Sequence, residues 1–172
     1  IARAWEEQKQ IKEIMLFLQS HDVSTGLAVR IYKQYGDASI ETVRQDPYRL
    51  AKDIFGIGFK TADRIAQRMG FAHDAPERVR AGLQYVLGTF SDDGHCYATQ
   101  AQLLQKSEQL LEVPQPACQE QLVWLVQQDI LNQEDEAVYL PPFRQAEISV
   151  ARKLVQLLAT PADRLSQFKG VD

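Results

Sequence analysis

The sequence predicts a mainly α protein, a helical bundle built around a repeated helical pair and followed by a small α+β module. Three observations carry this expectation. Apolar residues recur at helical spacing from residue 3 to about residue 69. Within that span two stretches match at an offset of 34 residues, each reading helix, tight turn, helix, glycine. Further on, Ile130-Leu131-Asn132 and Ala137-Val138-Tyr139-Leu140 flank an acidic turn, the pattern of a β-hairpin.

Taken in order, Ile11, Ile14, Met15 and Leu18 place one apolar stripe on a helix over residues 3–20, ending near His21-Asp22. Ser24 suits the N-cap of a second helix through Leu27, Ala28, Ile31 and Tyr32, which Gly36 closes. Ile40, Val43 and Arg44 read as a short helix stopped by Asp46-Pro47, and Pro47 suits the first turn of the next, residues 48–54. Gly56-Ile57-Gly58 breaks that helix, and another over residues 59–69 ends at Gly70. The repeat aligns Leu16 with Leu50, Ala28 with Ala62, Arg30 with Arg64, Ile31 with Ile65 and Gly36 with Gly70, while Ile57 replaces Val23. A 34-residue period also suits tetratricopeptide repeats, but two copies and a Gly-x-Gly turn do not fit that consensus.

The second part is mixed. Val79, Leu83, Val86, Leu87 and Phe90 make an amphipathic helix ending near Asp93-Gly94, Cys96-Tyr97-Ala98 reads as a short strand, and a helix follows from Thr99 or Gln100 to residue 111. Pro114 and Pro116 precede a helix over residues 117–128, and the hairpin comes next. Helix, strand, helix, helix, hairpin is the order of a winged helix. Its third helix has no Lys or Arg between residues 117 and 128, which suits a structural or docking role better than contact with phosphates. Pro141-Pro142 is expected to end this module, with a connecting helix over residues 145–158. The implied division is residues 1–76, residues 77–143 and a connecting segment over residues 144–172.

Composition narrows the class. A hydrophobic content of 45% and a charged content of 24% leave no support for disorder, and no run approaches the roughly 18 apolar residues of a membrane span. A cytoplasmic location is expected, and a start on Ile1 rather than Met suggests an excised piece of a larger protein. Cys96 and Cys118 are expected to be reduced, half-buried small hydrophobes, and His95-Cys96 lacks the partner spacing of a zinc site, so no metal is assigned. The net charge of −4 argues against a simple nucleic-acid binder, but its distribution is uneven. Residues 49–68 hold Arg49, Lys52, Lys60, Arg64 and Arg68 against Asp53 and Asp63, a local charge of +3, whereas Asp129, Glu134, Asp135 and Glu136 make a later segment acidic.

The chemistry points to the second turn. Two glycines around one apolar residue allow a tight fold-back with positive φ available while Ile57 plugs the core, and Ala62 leaves room for close helix packing. Amides near Gly56, Gly58 and Lys60 then face outward from a helix N-terminus, where unpaired donors and the macrodipole favour a phosphate. Lys60 and Arg64 lie one turn apart to bracket the same strand, with the Thr61 hydroxyl as a further donor. The candidate contact set is Gly56, Ile57, Gly58, Lys60, Thr61 and Arg64. A turn that only packs helices, in a protein-interaction scaffold, is the rival reading.

Phe55-Gly56-Ile57-Gly58-Phe59-Lys60-Thr61-Ala62-Asp63-Arg64-Ile65-Ala66 resembles the second half of a helix-hairpin-helix, a DNA-backbone binding element. With Glu13-Ile14-Met15-Leu16-Phe17-Leu18, the run from Ala28 to Gly36 and Asp46-Pro47-Tyr48-Arg49-Leu50, the wider stretch resembles the helix-hairpin-helix region preceding the motor of RecD-like (RecD/TraA-type) DNA helicases. The resemblance implies a tandem helix-hairpin-helix bundle that handles single-stranded, duplex or forked DNA. It also implies a parent ATP-dependent 5′-to-3′ helicase, of the class also described as exodeoxyribonuclease V alpha subunits, acting in recombination and repair. Asp22-Val23-Ser24 departs from the glycine motif, leaving Ser24, Thr25 and Arg30 as secondary candidates in the first hairpin. No G-x-x-x-x-G-K-[ST] is present, so ATP and magnesium are expected only in the absent motor, and no cofactor or catalytic residue is assigned to this chain.

Overall fold

Helical spacing of apolar residues settles most of the architecture of the described residues. The computed structural model describes residues 2–21 and 23–160, with side chains from residue 11 onward; Ile1, Asp22 and residues 161–172, the end of the expected connecting segment, lie outside the described residues. The first hairpin pairs α1 (Ala2–Ser20) with α2 (Thr25–Tyr35), burying Ile14 and Leu18 against Ala28 and Ile31. A single 3-10 turn (Gly36–Ala38) leads into α3 (Ser39–Gln45), and the Asp46 side chain accepts the Tyr48 amide at 3.0 Å to turn the chain. The second hairpin pairs α4 (Arg49–Asp53) with α5 (Phe59–Arg68). Gly36 and Gly70 take positive φ, +55° and +85°, at the ends of their helices, backbone that is costly for any residue with a Cβ.

Beyond Gly70 come α6 (Pro76–Asp92), β1 (Ala98–Thr99), α7 (Gln100–Leu111), α8 (Gln115–Gln127), β2 (Asn132–Glu134), β3 (Ala137–Tyr139) and α9 (Pro141–Ala159). The strands form one antiparallel sheet in the order β1-β3-β2, with Val138 between Ala98 and Gln133. Thr99 and Gln102 build a reciprocal capping box that fixes where α7 begins. The molecule is thus mainly α with a small α+β module, as its sequence predicts.

Several local expectations are corrected. Leu16 is 56% exposed while its repeat counterpart Leu50 is fully buried, because α1 turns Ile14 and Leu18 inward instead. The predicted strand Cys96-Tyr97-Ala98 is displaced, since β1 begins at Ala98; Cys96 is exposed rather than half-buried, and Cys118 is fully buried. α4 is shorter than residues 48–54. Prolines expected outside helices lie inside them: Pro116 is in the first turn of α8, and Pro141-Pro142 open α9 rather than only closing the module. A helix's first amides have no intrahelical acceptor, so proline's missing N–H costs nothing there.

Two apolar clusters fill the interior. One holds Ile14, Leu18, Ala28, Ile31, Val43 and Leu50 together with Ile57 and Ile65; the other surrounds α6, α7 and α8. Helix α5 serves both, giving Ile65 to the first and Phe59, Ala62 and Ala66 to the second. Across residue 76, buried Arg78 donates through Nε to Asp63 Oδ1 at 2.9 Å and through Nη2 to Oδ2 at 3.2 Å. Its Nη1 donates to the carbonyls of His73 (2.7 Å) and Leu111 (2.8 Å). Helices α6 and α7 meet at Gly82, where an added Cβ would stand 2.5 Å from Leu111 Cδ2.

Removing one partner of a buried ion pair strands the other charge, so Arg78→Met is expected to cost about 3–5 kcal/mol, read as a fall in the urea midpoint. Overpacking the α6–α7 contact with Gly82→Ala is expected to cost about 1–3 kcal/mol in the same measurement.

Candidate nucleic-acid interface

The second turn is made by backbone geometry. Ile57 donates its amide to the Ile54 carbonyl at 3.1 Å, and its side chain is buried at 3% exposure, so the turn is pinned from within. Gly56 supplies the left-handed residue, with φ of +79°. Gly58 does not: it is extended, with φ −93° and ψ 171°, and serves as the N-cap of α5. The expectation that both glycines lend positive φ therefore holds for Gly56 alone. Nothing lies within 4 Å of where a Cβ on Gly58 would stand, so its role is open space beside the helix start.

Thr61 and Ala62 donate their amides to the Gly58 carbonyl at 3.0 and 3.2 Å, whereas the amides of Phe59 and Lys60 have no acceptor among the described residues. Those donors sit at the positive end of α5, where an anion is stabilised. Lys60 and Arg64 are exposed one turn apart on the same helix and make no ion pair among the described residues; Thr61 is half-buried between them. The acids of this stretch are already engaged. Asp53 accepts from Arg49 Nε (3.0 Å) and the Tyr35 hydroxyl (2.9 Å), and Asp63 accepts from Arg78 and the Tyr48 hydroxyl. Burial first, and then these hydrogen bonds, hold both phenols well above their ordinary range.

The first hairpin's candidates divide. Ser24 Oγ accepts the Leu27 amide at a long 3.4 Å, and Thr25 Oγ1 accepts from Gln19, so both serve their own helix junction. Arg30 crosses over. Its guanidinium lies against Gly56, with Nη2 3.3 Å from where a Cβ would stand, which brings a third cation to the second turn. The repeat aligns Arg30 with Arg64 as equivalents in separate hairpins, whereas Arg30 reaches out of its own hairpin to the backbone of the second. On α8, Trp124 is covered by the Arg80 guanidinium at 3.6 Å, and Val123 is 43% exposed.

Residues 7–97, more than half of the chain, match the family model described as the ATP-dependent RecD2 DNA helicase HHH domain. The chain belongs to that family of helix-hairpin-helix domains. It is also similar to the ATP-dependent RecD2 DNA helicase of Deinococcus radiodurans, 26% identical over 174 residues that cover 92% of this chain and 24% of the relative. The chain therefore spans about a quarter of the length of the curated relative it matches. Among the described residues, no helix is long and apolar enough to cross a membrane.

The different conformations of the two glycines set up a direct test. Gly56→Ala places a Cβ in a left-handed residue against Arg30 and is expected to lose about 1–2 kcal/mol. Gly58→Ala, extended and unobstructed, is expected to stay within about 0.5 kcal/mol of wild type in the same denaturant titration.

Proposed function

We propose that this chain is a non-catalytic accessory region of an ATP-dependent RecD-like helicase, one that holds the sugar-phosphate backbone of DNA without reading its bases. The observation that carries this reading is the Arg30 guanidinium against Gly56 beside the acceptor-free amides of Phe59 and Lys60, at the start of the helix on which Lys60 and Arg64 are exposed one turn apart. Backbone amides and cations match a phosphate and carry no base code, so affinity should depend on charge and salt rather than sequence. The similarity to the ATP-dependent RecD2 DNA helicase of Deinococcus radiodurans supports a helicase parent. In this reading the 5′-to-3′ motor, with its ATP and magnesium, lies outside the chain, and the chain alone turns over no ATP. The division proposed is the tandem hairpins of residues 1–76, a winged-helix-like module of residues 77–143 that supports them, and a connecting segment from residue 144.

The scaffold reading has one observation in its favour. Val150, Leu154, Leu157 and Leu158 are exposed on α9 at i, i+4, i+7 and i+8, a stripe suited to docking on the motor domains of the same polypeptide.

Titrating salt against affinity for single-stranded, duplex and forked DNA separates the two. Two or three neutralised phosphates give a slope of log K on log salt of roughly −2 to −3. Lys60→Ala with Arg64→Ala should make that slope shallower by up to about 2, and Arg30→Ala by a further one at most, with unchanged melting temperatures for the exposed pair. Salt-independent binding, or a double variant that binds every DNA as wild type does, would overturn the phosphate reading.

A further inference from the structure

Beside Gly58 a cavity of about 250 Å³ opens between the second hairpin and α6, lined chiefly by Tyr48, Lys52, Gly58, Phe59, Ala81 and Tyr85. One side is aromatic: Phe59 stacks on Tyr85 at 5.3 Å with 23° between the rings and on Tyr48 at 6.0 Å with 20°, and since Tyr48 and Phe59 are buried, half-buried Tyr85 is the ring of the three with exposed surface. Polar groups are few and placed at the edge. The Gln84 side chain, also in the lining, donates its N–H to the Arg80 carbonyl at 3.0 Å, which leaves its oxygen as an acceptor, and Lys52 makes no ion pair among the described residues. Because Gly58 lines the cavity and also caps α5, the mouth adjoins the acceptor-free amides of Phe59 and Lys60.

An apolar slot with a half-exposed tyrosine ring, a polar edge and a lysine on its rim, beside anion-binding amides, matches the parts of one nucleotide. The base has a flat apolar face and a polar edge, and its linkage is an anion. We propose, resting on the backbone-binding reading above, that this cavity receives a single unpaired base of a DNA strand while the adjoining phosphate sits on the α5 N-terminus. The base must be unpaired, because a base stacked in a duplex presents only its edge. It is single because the cavity, at about 250 Å³, is smaller than the roughly 300–1,000 Å³ of a site for a larger ligand. The region is thereby selective for strand ends and junctions over uninterrupted duplex.

The test uses the full chain and three DNAs: a blunt duplex, the same duplex with a single-stranded overhang carrying 2-aminopurine, and that overhang with abasic residues. Wild type is expected to bind the base-bearing overhang about fivefold or more tighter than the abasic one, with quenching of 2-aminopurine fluorescence as the base stacks. Ala81→Leu fills the cavity with a good helix former and should remove both the preference and the quenching while blunt-duplex affinity is kept. Tyr85→Leu keeps an apolar wall without a ring and should reduce the quenching, and thermal melts establish that both variants fold. Equal wild-type affinity for base-bearing and abasic overhangs overturns the base site, as does a preference that survives in folded Ala81→Leu. These results leave the phosphate reading intact if Lys60→Ala with Arg64→Ala still weakens binding to all three DNAs; wild type that binds none of them overturns both.

Discussion

Arg78 is the group around which the rest of the molecule is arranged. A buried guanidinium is tolerated only when its donors are met, and here the Asp63 carboxylate and the carbonyls of His73 and Leu111 meet them. Asp63 in turn accepts from the Tyr48 hydroxyl at 2.8 Å and from Gln67 at 3.2 Å. One charge pair therefore gathers the residue that opens α4, the middle of α5, the first turn of α6 and the last residue of α7. That arrangement orients the start of α5, and with it the Gly58 and Lys60 backbone, against the Tyr85 side of α6.

The two hairpins are related in sequence but not in task. In both, a buried alanine and isoleucine let the second helix lean on its partner: Ala28 and Ile31 in one, Ala62 and Ile65 in the other. The loops differ. The first is closed by local side-chain bonds at Ser24 and Thr25, whereas the second leaves its amides open because a glycine stands where a capping side chain would satisfy them. Arg30 is the link, a side chain of the first copy laid over the backbone of the second.

Much of this was legible from residue spacing, because helical periodicity and glycine stops are local properties. Gly36 and Gly70 mark helix ends, and the start of α7 is legible to within one residue at Thr99 or Gln100, each a local feature of the chain. What escaped was set by distant partners. Leu16 lines up with buried Leu50 in the repeat, yet it stands on the far side of α1 from Ile14 and Leu18 and is exposed, so the repeat carries likeness of sequence without likeness of burial. Arg30 looked like a counterpart of Arg64, and nothing near it in sequence says that it reaches Gly56. Arg78 did carry a signal. A cation in the first turn of a helix opposes the macrodipole, so its presence at the third position of α6 calls for an acceptor elsewhere.

The ion pair has a mechanical meaning as well. A pull applied at the start of α5 is passed through Asp63 and Arg78 into α6 and the end of α7, elements already wedged together at Gly82 and Leu111. Packing thins beyond Leu140, where Phe143 and Ile148 are half-buried, Arg144 reaches Glu134 at 3.5 Å, and every described residue from 150 onward is exposed. The hairpins and α6–α7 thus share one load path through packed side chains, and α9 stands outside it.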